Sequence, residues 1–297
     1  MLDAVSSSDG VHNSYISAIA GTNTGKIVGC ELLEGSKIQT TNVDIGAIVA
    51  QNLFEGNVSL CKNYASLTQT CNEADWSPNV AGIAIGNVGT ISNCFNHGDV
   101  TANSTNQSAN QNSYVFVGGI CAVNNASIVH SQNFGNISSN SASQSVYAGG
   151  ICAYSQNGSA NGTTVNSVVS LCGTTGSINI QKSDDCMSFV GGIAGFFIGE
   201  ISSCFSISTF SNGNDEATNC FVGTITGATY GQQTFMYVSL YVNIQNSYCL
   251  EQSNANKSIA GYYNGFAYFA TGELSNVGVS TCGSVEEISS TEVFWNE

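Results

Sequence analysis

Twelve cysteines, three histidines and twenty acidic residues are the side chains of this 297-residue chain with chemistry to offer. Cysteines two residues apart would suggest a zinc site, but no Cys-x-x-Cys pair occurs. There is no Gly-x-Ser-x-Gly elbow and no His-Glu-x-x-His, so serine-hydrolase and zincin chemistry lack their nucleophile and ligands. The stretch Ala20-Gly-Thr-Asn-Thr-Gly-Lys26-Ile27 superficially suggests a phosphate loop. Its first glycine is out of register, Ile replaces the required Ser/Thr, and it leads into a strand where such loops need a helix N-terminus. Asp184-Asp185 and Asp215-Glu216 lie in polar stretches without the spaced Asp/Asn pattern of a calcium loop, so they read as solvated loop residues. His12, His97 and His130 occupy unrelated positions and read as ordinary surface residues, with His97 in the slot that Phe134 fills elsewhere. No cofactor or metal is expected.

Composition narrows the partners. All five cations are lysines, and with a net charge of −15 the chain would have to overcome self-repulsion to approach a polyanion. Nucleic-acid binding is therefore excluded, as is a membrane span, since no apolar run reaches about 18 residues. Apolar residues make up 42% of the chain, enough for a core.

What must position any functional residue is a repeat. One phrase, Val-Gly-Gly-Ile, returns as Ile45-Gly-Ala-Ile48, Val80-Ala-Gly-Ile83, Val117-Gly-Gly-Ile120, Ala148-Gly-Gly-Ile151, Val190-Gly-Gly-Ile193 and Val222-Gly-Thr-Ile225, with weaker copies ending at Ile19 and Tyr262. Successive fourth positions are 29, 35, 37, 31, 42, 32 and 37 residues apart. A second phrase follows the first: Ile91-Ser-Asn-Cys94-Phe-Asn96-His-Gly98-Asp-Val100 aligns without gaps on Ile128-Val-His-Ser131-Gln-Asn133-Phe-Gly135-Asn-Ile137. Val58 to Leu67 and Ile201 to Phe210 fit the same frame, whereas Val165 to Ile178 fits only with an insertion near Leu171-Cys-Gly173.

Each unit thus holds three short apolar runs separated by Gly, Asn and Ser, too short for helices. Gly and Asn suit the corners, because both tolerate left-handed backbone. Three strands per unit, repeated in order, predict an all-β parallel β-helix of about seven to eight rungs, each strand pairing with its counterpart one unit later. Like side chains then stack about 4.8 Å apart in inward ladders. The marker column is Ile83, Ile120, Ile151 and Ile193; a second column is Cys30, Cys61, Cys94, Ser131 and Cys204. Cys121 and Cys152 share a third, where Ala84 and Ala194 stand in sister units. These cysteines read as small buried residues, and parallel Cβ directions disfavour rung-to-rung disulfides. Cys71, Cys172, Cys186, Cys220, Cys249 and Cys282 fall outside the columns, leaving a loop disulfide open. Thr101–Tyr114, Ser138–Ser145, Ser155–Thr164 and Ser211–Asn219 read as corner loops.

These residues resemble the GLUG-type repeat of bacterial surface proteins, V-G-G-I-A-G followed by G-x-I-x-x-C-x-N-x-G-x-I. Phe189-Val-Gly-Gly-Ile-Ala-Gly195 with Gly199-Glu-Ile-Ser-Ser-Cys204 is the nearest copy, and the likeness covers roughly Ile16 to Asn276. It implies a right-handed β-helix in a secreted or wall-anchored protein, adhesin-like, with no catalytic residues. A similarity to the polymorphic membrane proteins of chlamydiae is weaker, their Phe-x-x-Asn signature occurring only as Phe54-Glu-Gly-Asn57.

The expected organisation is a flank over 1–14, one repeat domain over 15–280 and an array-ending segment over 281–297 that leads into a further module. Neither a basic nor an apolar leader region is visible, and both ends are compatible with cut points in a longer protein. Low charge and Asn-x-Ser/Thr triplets at Asn57, Asn103, Asn125, Asn136 and Asn157 favour an extracellular or cell-surface location. The expected function is a non-catalytic stalk or adhesin-like surface that binds a host or cell-surface glycan or protein. Its expected ligand surface is the aromatic-dense late region with Tyr262, Tyr263 and Phe266. The alternative is a lyase or glycosidase, argued from fold analogy alone.

Overall fold

The computed structural model describes residues 3–7, 14–73, 76–106, 113–160, 162–183, 186–211, 219–229, 233–235, 238–240, 242–245, 247–250, 274–275 and 278–280. All regular structure among them is β. The unit beginning at Asn79 shows the pattern. Its strands are Asn79–Ala81, Ala84–Asn87, Thr90–Ser92, Phe95–Asn96 and Val100–Ser104. Each pairs in parallel with its counterpart on the following unit, matching Val80 with Val117, Ala84 with Cys121, Ile91 with Ile128, Asn96 with Asn133 and Val100 with Ile137. Repetition of this pairing builds five parallel sheets of seven or eight strands, numbered here first to fifth in chain order. The chain is therefore a parallel β-solenoid of about six turns.

Two expectations are refined. Seven marker phrases, from Ile19 to Ile225, bound only six full circuits, and the unit marked by Tyr262 lies outside the described residues. Each circuit contains the three anticipated apolar runs, but two of them bend, so five short strands result. The first bend, between the first and second sheets, falls within the Gly-Gly-Ile phrase. There a Cβ added to Gly118 would lie 1.9 Å from the backbone carbonyl oxygen of Cys121, so the tight approach demands glycine. The second bend, between the third and fourth sheets, places one residue per turn in left-handed backbone: Gly29, Leu60, Asn93, His130, Leu171 and Ser203, at φ 66, 55, 51, 49, 54 and 52°. Only two of these six are Gly or Asn, so corner conformation here is imposed by rung pairing against local preference.

The core is a set of apolar columns. Ile48, Ile83, Ile120, Ile151, Ile193 and Ile225 form one, and Val58, Ile91, Ile128, Val169 and Ile201 another; all are fully buried. The strand of the fifth sheet is longer than its apolar run, so Thr101–Ser104 and Ser138–Ser141 are paired strand where loops were expected. Within Ser155–Thr164, Gly158–Ala160 begins an antiparallel hairpin with Thr163–Val165. Much of the Thr101–Tyr114 and Ser211–Asn219 insertions lies outside the described residues.

Candidate functional site

The cysteine column follows the left-handed corner. A corner turns the N–H of the next residue away from the ladder, and the side chain one turn on accepts it. The Cys94 N–H donates to Ser131 Oγ, and the Cys204 N–H to Ser247 Oγ, each at 3.2 Å. Sulfur takes the same role where the N–H groups of Cys30, Cys61 and Ser131 point at the thiols of Cys61, Cys94 and Cys172. Each thiol or hydroxyl in turn donates to the carbonyl two residues back, as Cys61 does to Ser59 at 3.2 Å and Ser131 to Val129 at 3.0 Å. Cys and Ser interchange here because both carry one γ atom that donates and accepts. Small size alone, the role expected from sequence, does not explain this column.

Cys172 belongs to this column, which corrects its assignment outside the ladders. Val169 pairs with Ile128 and with Ile201, so no insertion at Leu171 is needed; the frame simply starts later. Cys121 and Cys152 pair in register in the second sheet, between Ala84 and Ala194, as expected. Cys30, Cys61, Cys71, Cys94, Cys121, Cys152, Cys172, Cys186, Cys204 and Cys220 are free thiols. Burial pushes the Cys121 and Cys172 thiols well up, and Cys152 up to about 12. Hydrogen bonding between the neighbouring Cys61 and Cys94 sulfurs sets them apart, lowering Cys61 to about 7 and holding Cys94 well up.

Two asparagine ladders run beside the thiols. Asn63, Asn96 and Asn133, a recurrent position of the second phrase, join amide to amide at 2.8 and 2.7 Å and continue to Thr174 Oγ1. Asn23, Asn52, Asn87 and Asn124 join at 2.8 Å per step, then reach Ser155 and Ser167. The second ladder was not anticipated, although its members stand four residues after Ile19, Ile48, Ile83 and Ile120. Asn23 also shows why the phosphate-loop reading fails: its Oδ1 accepts the Gly25 N–H, tying off the turn between two strands.

The outer face carries aromatic stacks. Phe116, Tyr147, Phe189 and Phe221 stack face to face along the first sheet at 5.2, 4.8 and 5.3 Å. Tyr154 and Phe196 stack at 4.9 Å on the second sheet and meet Tyr147 edge-on. Tyr147, Tyr154, Phe189, Phe196 and Phe221 form, with Met187, Ile198 and Ala228, an apolar cluster separate from the core. Sequence reasoning missed this strip, yet its stacked column on the first sheet lies two residues before the first position of each Gly-Gly pair or its equivalent. The aromatic surface was expected instead at Tyr262, Tyr263 and Phe266, which lie outside the described residues. His97 is not an ordinary surface residue: it is stacked between Tyr64 and Phe134 at 4.5 and 4.6 Å. His130 is exposed at its corner, and His12 lies outside the described residues.

One carboxyl is unusual. Asp44 accepts the Asn79 N–H and side-chain amide, both at 2.9 Å, and burial pushes its pKa up to about 7 against those two bonds. Glu73, which accepts from Asn42, and Cys71 share this corner, with Cys71 pushed up to about 11 by burial first. Asp184-Asp185 and Asp215-Glu216 lie outside the described residues. Among the described residues no group of three or more His, Cys, Asp or Glu is placed to hold a metal ion, and no helix is long and apolar enough to cross a membrane.

Compared with protein-family models and with curated proteins, the chain matches none.

Proposed function

We propose that this chain is a non-catalytic repeat domain of GLUG-like type, secreted or displayed at a cell surface, serving as a stalk with an adhesive lateral face. The observation that carries this reading is that the columns repeated along the chain, isoleucine, cysteine/serine and asparagine, all bond or pack one turn against the next. Their repetition is accounted for by holding a solenoid together, and repeat proteins recognise partners through extended surfaces.

The half-buried strip of Phe116, Tyr147, Tyr154 and Phe221 is the candidate adhesive face. Its rings use their faces on one another and offer a ligand their edges and tyrosine hydroxyls. That favours a protein surface over a sugar ring, which stacks on an open aromatic face. The test presents the purified domain to extracellular-matrix proteins and to a glycan array, beside a Tyr147→Ser/Tyr154→Ser variant. Saturable protein binding lost in the variant supports the reading; binding to glycans alone, or binding indifferent to the strip, overturns the assigned face.

The enzyme alternative has one observation in its favour. A carboxyl poised near neutrality, such as Asp44, is the kind of group that serves as a general acid in glycoside cleavage. Release of reducing ends from pectin, glucan or mucin, abolished by Asp44→Asn, would replace the stalk reading with a catalytic one.

A further inference from the structure

The cysteine column opens to solvent at its first turn. Cys30 is only partly buried, flanked by exposed Val28 and Gly29, whereas Cys61 and Cys94 behind it are buried. Lys62 pairs with Glu31 in register, which sets Cys61 directly over Cys30 at the spacing of adjacent parallel strands, about 4.8 Å between backbones. Each thiol donates to the carbonyl two residues back, Cys30 to Val28 at 3.8 Å and Cys61 to Ser59 at 3.2 Å, so the two sulfurs hold equivalent places one turn apart.

We propose that Cys30 and Cys61 form a two-coordinate site for a soft monovalent metal ion of the copper(I) or silver(I) class. Metal–thiolate bonds of about 2.3 Å placed end to end span roughly 4.6 Å, close to the rung spacing, so a linear S–metal–S unit fits between two turns without moving the backbone. The same spacing is long for a disulfide, whose Cβ atoms must approach to about 3.8 Å. Thiolates select soft cations, and a linear ion needs only the two ligands the column supplies. Four-coordinate zinc would need more, and the described residues place no third ligand.

Binding is balanced by proton release. The incoming monovalent ion displaces one proton from each of the two thiols to solvent, giving one S–metal–S unit of net charge −1. The other stacked pairs lack an entrance: Cys121 with Cys152, and Cys172 with Cys204, are fully enclosed.

Silver(I), which does not change oxidation state on binding thiolates, is the probe. The full chain, reduced and free of oxygen, is titrated in the presence of a competing chelator, with stoichiometry read by native mass spectrometry and thiolate coordination by ultraviolet absorbance. The expected result is a first ion held at least tenfold more weakly by Cys30→Ser and by Cys61→Ser, and unchanged in Cys121→Ser. Ser at position 61 keeps the corner hydrogen bond, so that variant retains its fold, and circular dichroism verifies this. Silver held equally by all variants, or not held against the chelator at all, overturns the proposal.

Discussion

The backbone N–H of Cys94 donates to the hydroxyl of Ser131, 3.2 Å away on the following turn. The bond is needed because left-handed Asn93 turns that N–H out of the strand-to-strand ladder, and a buried donor left without an acceptor costs about 1–3 kcal/mol. Ser131→Cys, which restores the residue type of neighbouring turns, is expected to leave stability nearly unchanged. Ser131→Ala should cost about 1–2 kcal/mol, read as a shift of the urea midpoint at constant slope. Equal stability of the Ala and Cys variants would show that the column selects size alone.

The asparagine ladders make a sharper case. Asn96 is fully buried; it accepts from Asn63, donates to Asn133 and donates to the Gly98 carbonyl. Asn96→Leu deprives three groups of partners at once and should destabilise by about 3 kcal/mol or more, enough to lower folded yield. Amide hydrogen exchange should show the loss first in the turns on either side of position 96.

Two glycines separate requirement from tolerance. A Cβ on Gly118 meets a backbone carbonyl oxygen at 1.9 Å, while on Gly25 the nearest atom is 4.0 Å away. Gly118→Ala should cost about 1–3 kcal/mol, because the clashing atom cannot rotate aside. Gly25→Ala should be neutral within about 0.5 kcal/mol, and thermal melts of the two side by side test the contrast.

Asp44 predicts an unusual pH response. Its pKa rises on folding from 3.8 to about 7, so the folded state binds the proton more tightly. The stability it contributes is complete below about pH 4 and is lost as pH rises through about 7. Between pH 5 and 8 the wild type should therefore lose about 2–3 kcal/mol relative to Asp44→Asn, at up to about 1.4 kcal/mol per pH unit. Parallel stability curves for the two proteins across this window would contradict the assignment.

Much of the architecture was legible because a solenoid repeats its physics. The interval between Val-Gly-Gly-Ile phrases is the length of one circuit, and Ile, Cys and Asn at fixed offsets are columns, since stacking in register puts equal positions together. The aromatic column through Phe116, Tyr147, Phe189 and Phe221 was legible too, at its constant offset before the glycines, but pairs such as Tyr154 and Phe196 needed the fold.

Sequence alone determined the class of fold, the circuit and the identity of the main inward columns, because apolar periodicity and turn chemistry act within a few residues. Tertiary structure decided what those columns do. Left-handed backbone at Leu60, His130 and Leu171 is set by pairing with the turns above and below, and no local preference announces it. The hydrogen bonds from corner N–H groups to Cys and Ser, the sandwich around His97, the raised proton affinity of Asp44 and the thiol pair at the open end all join residues some thirty positions apart. They arise only when one turn of the chain is laid against the next.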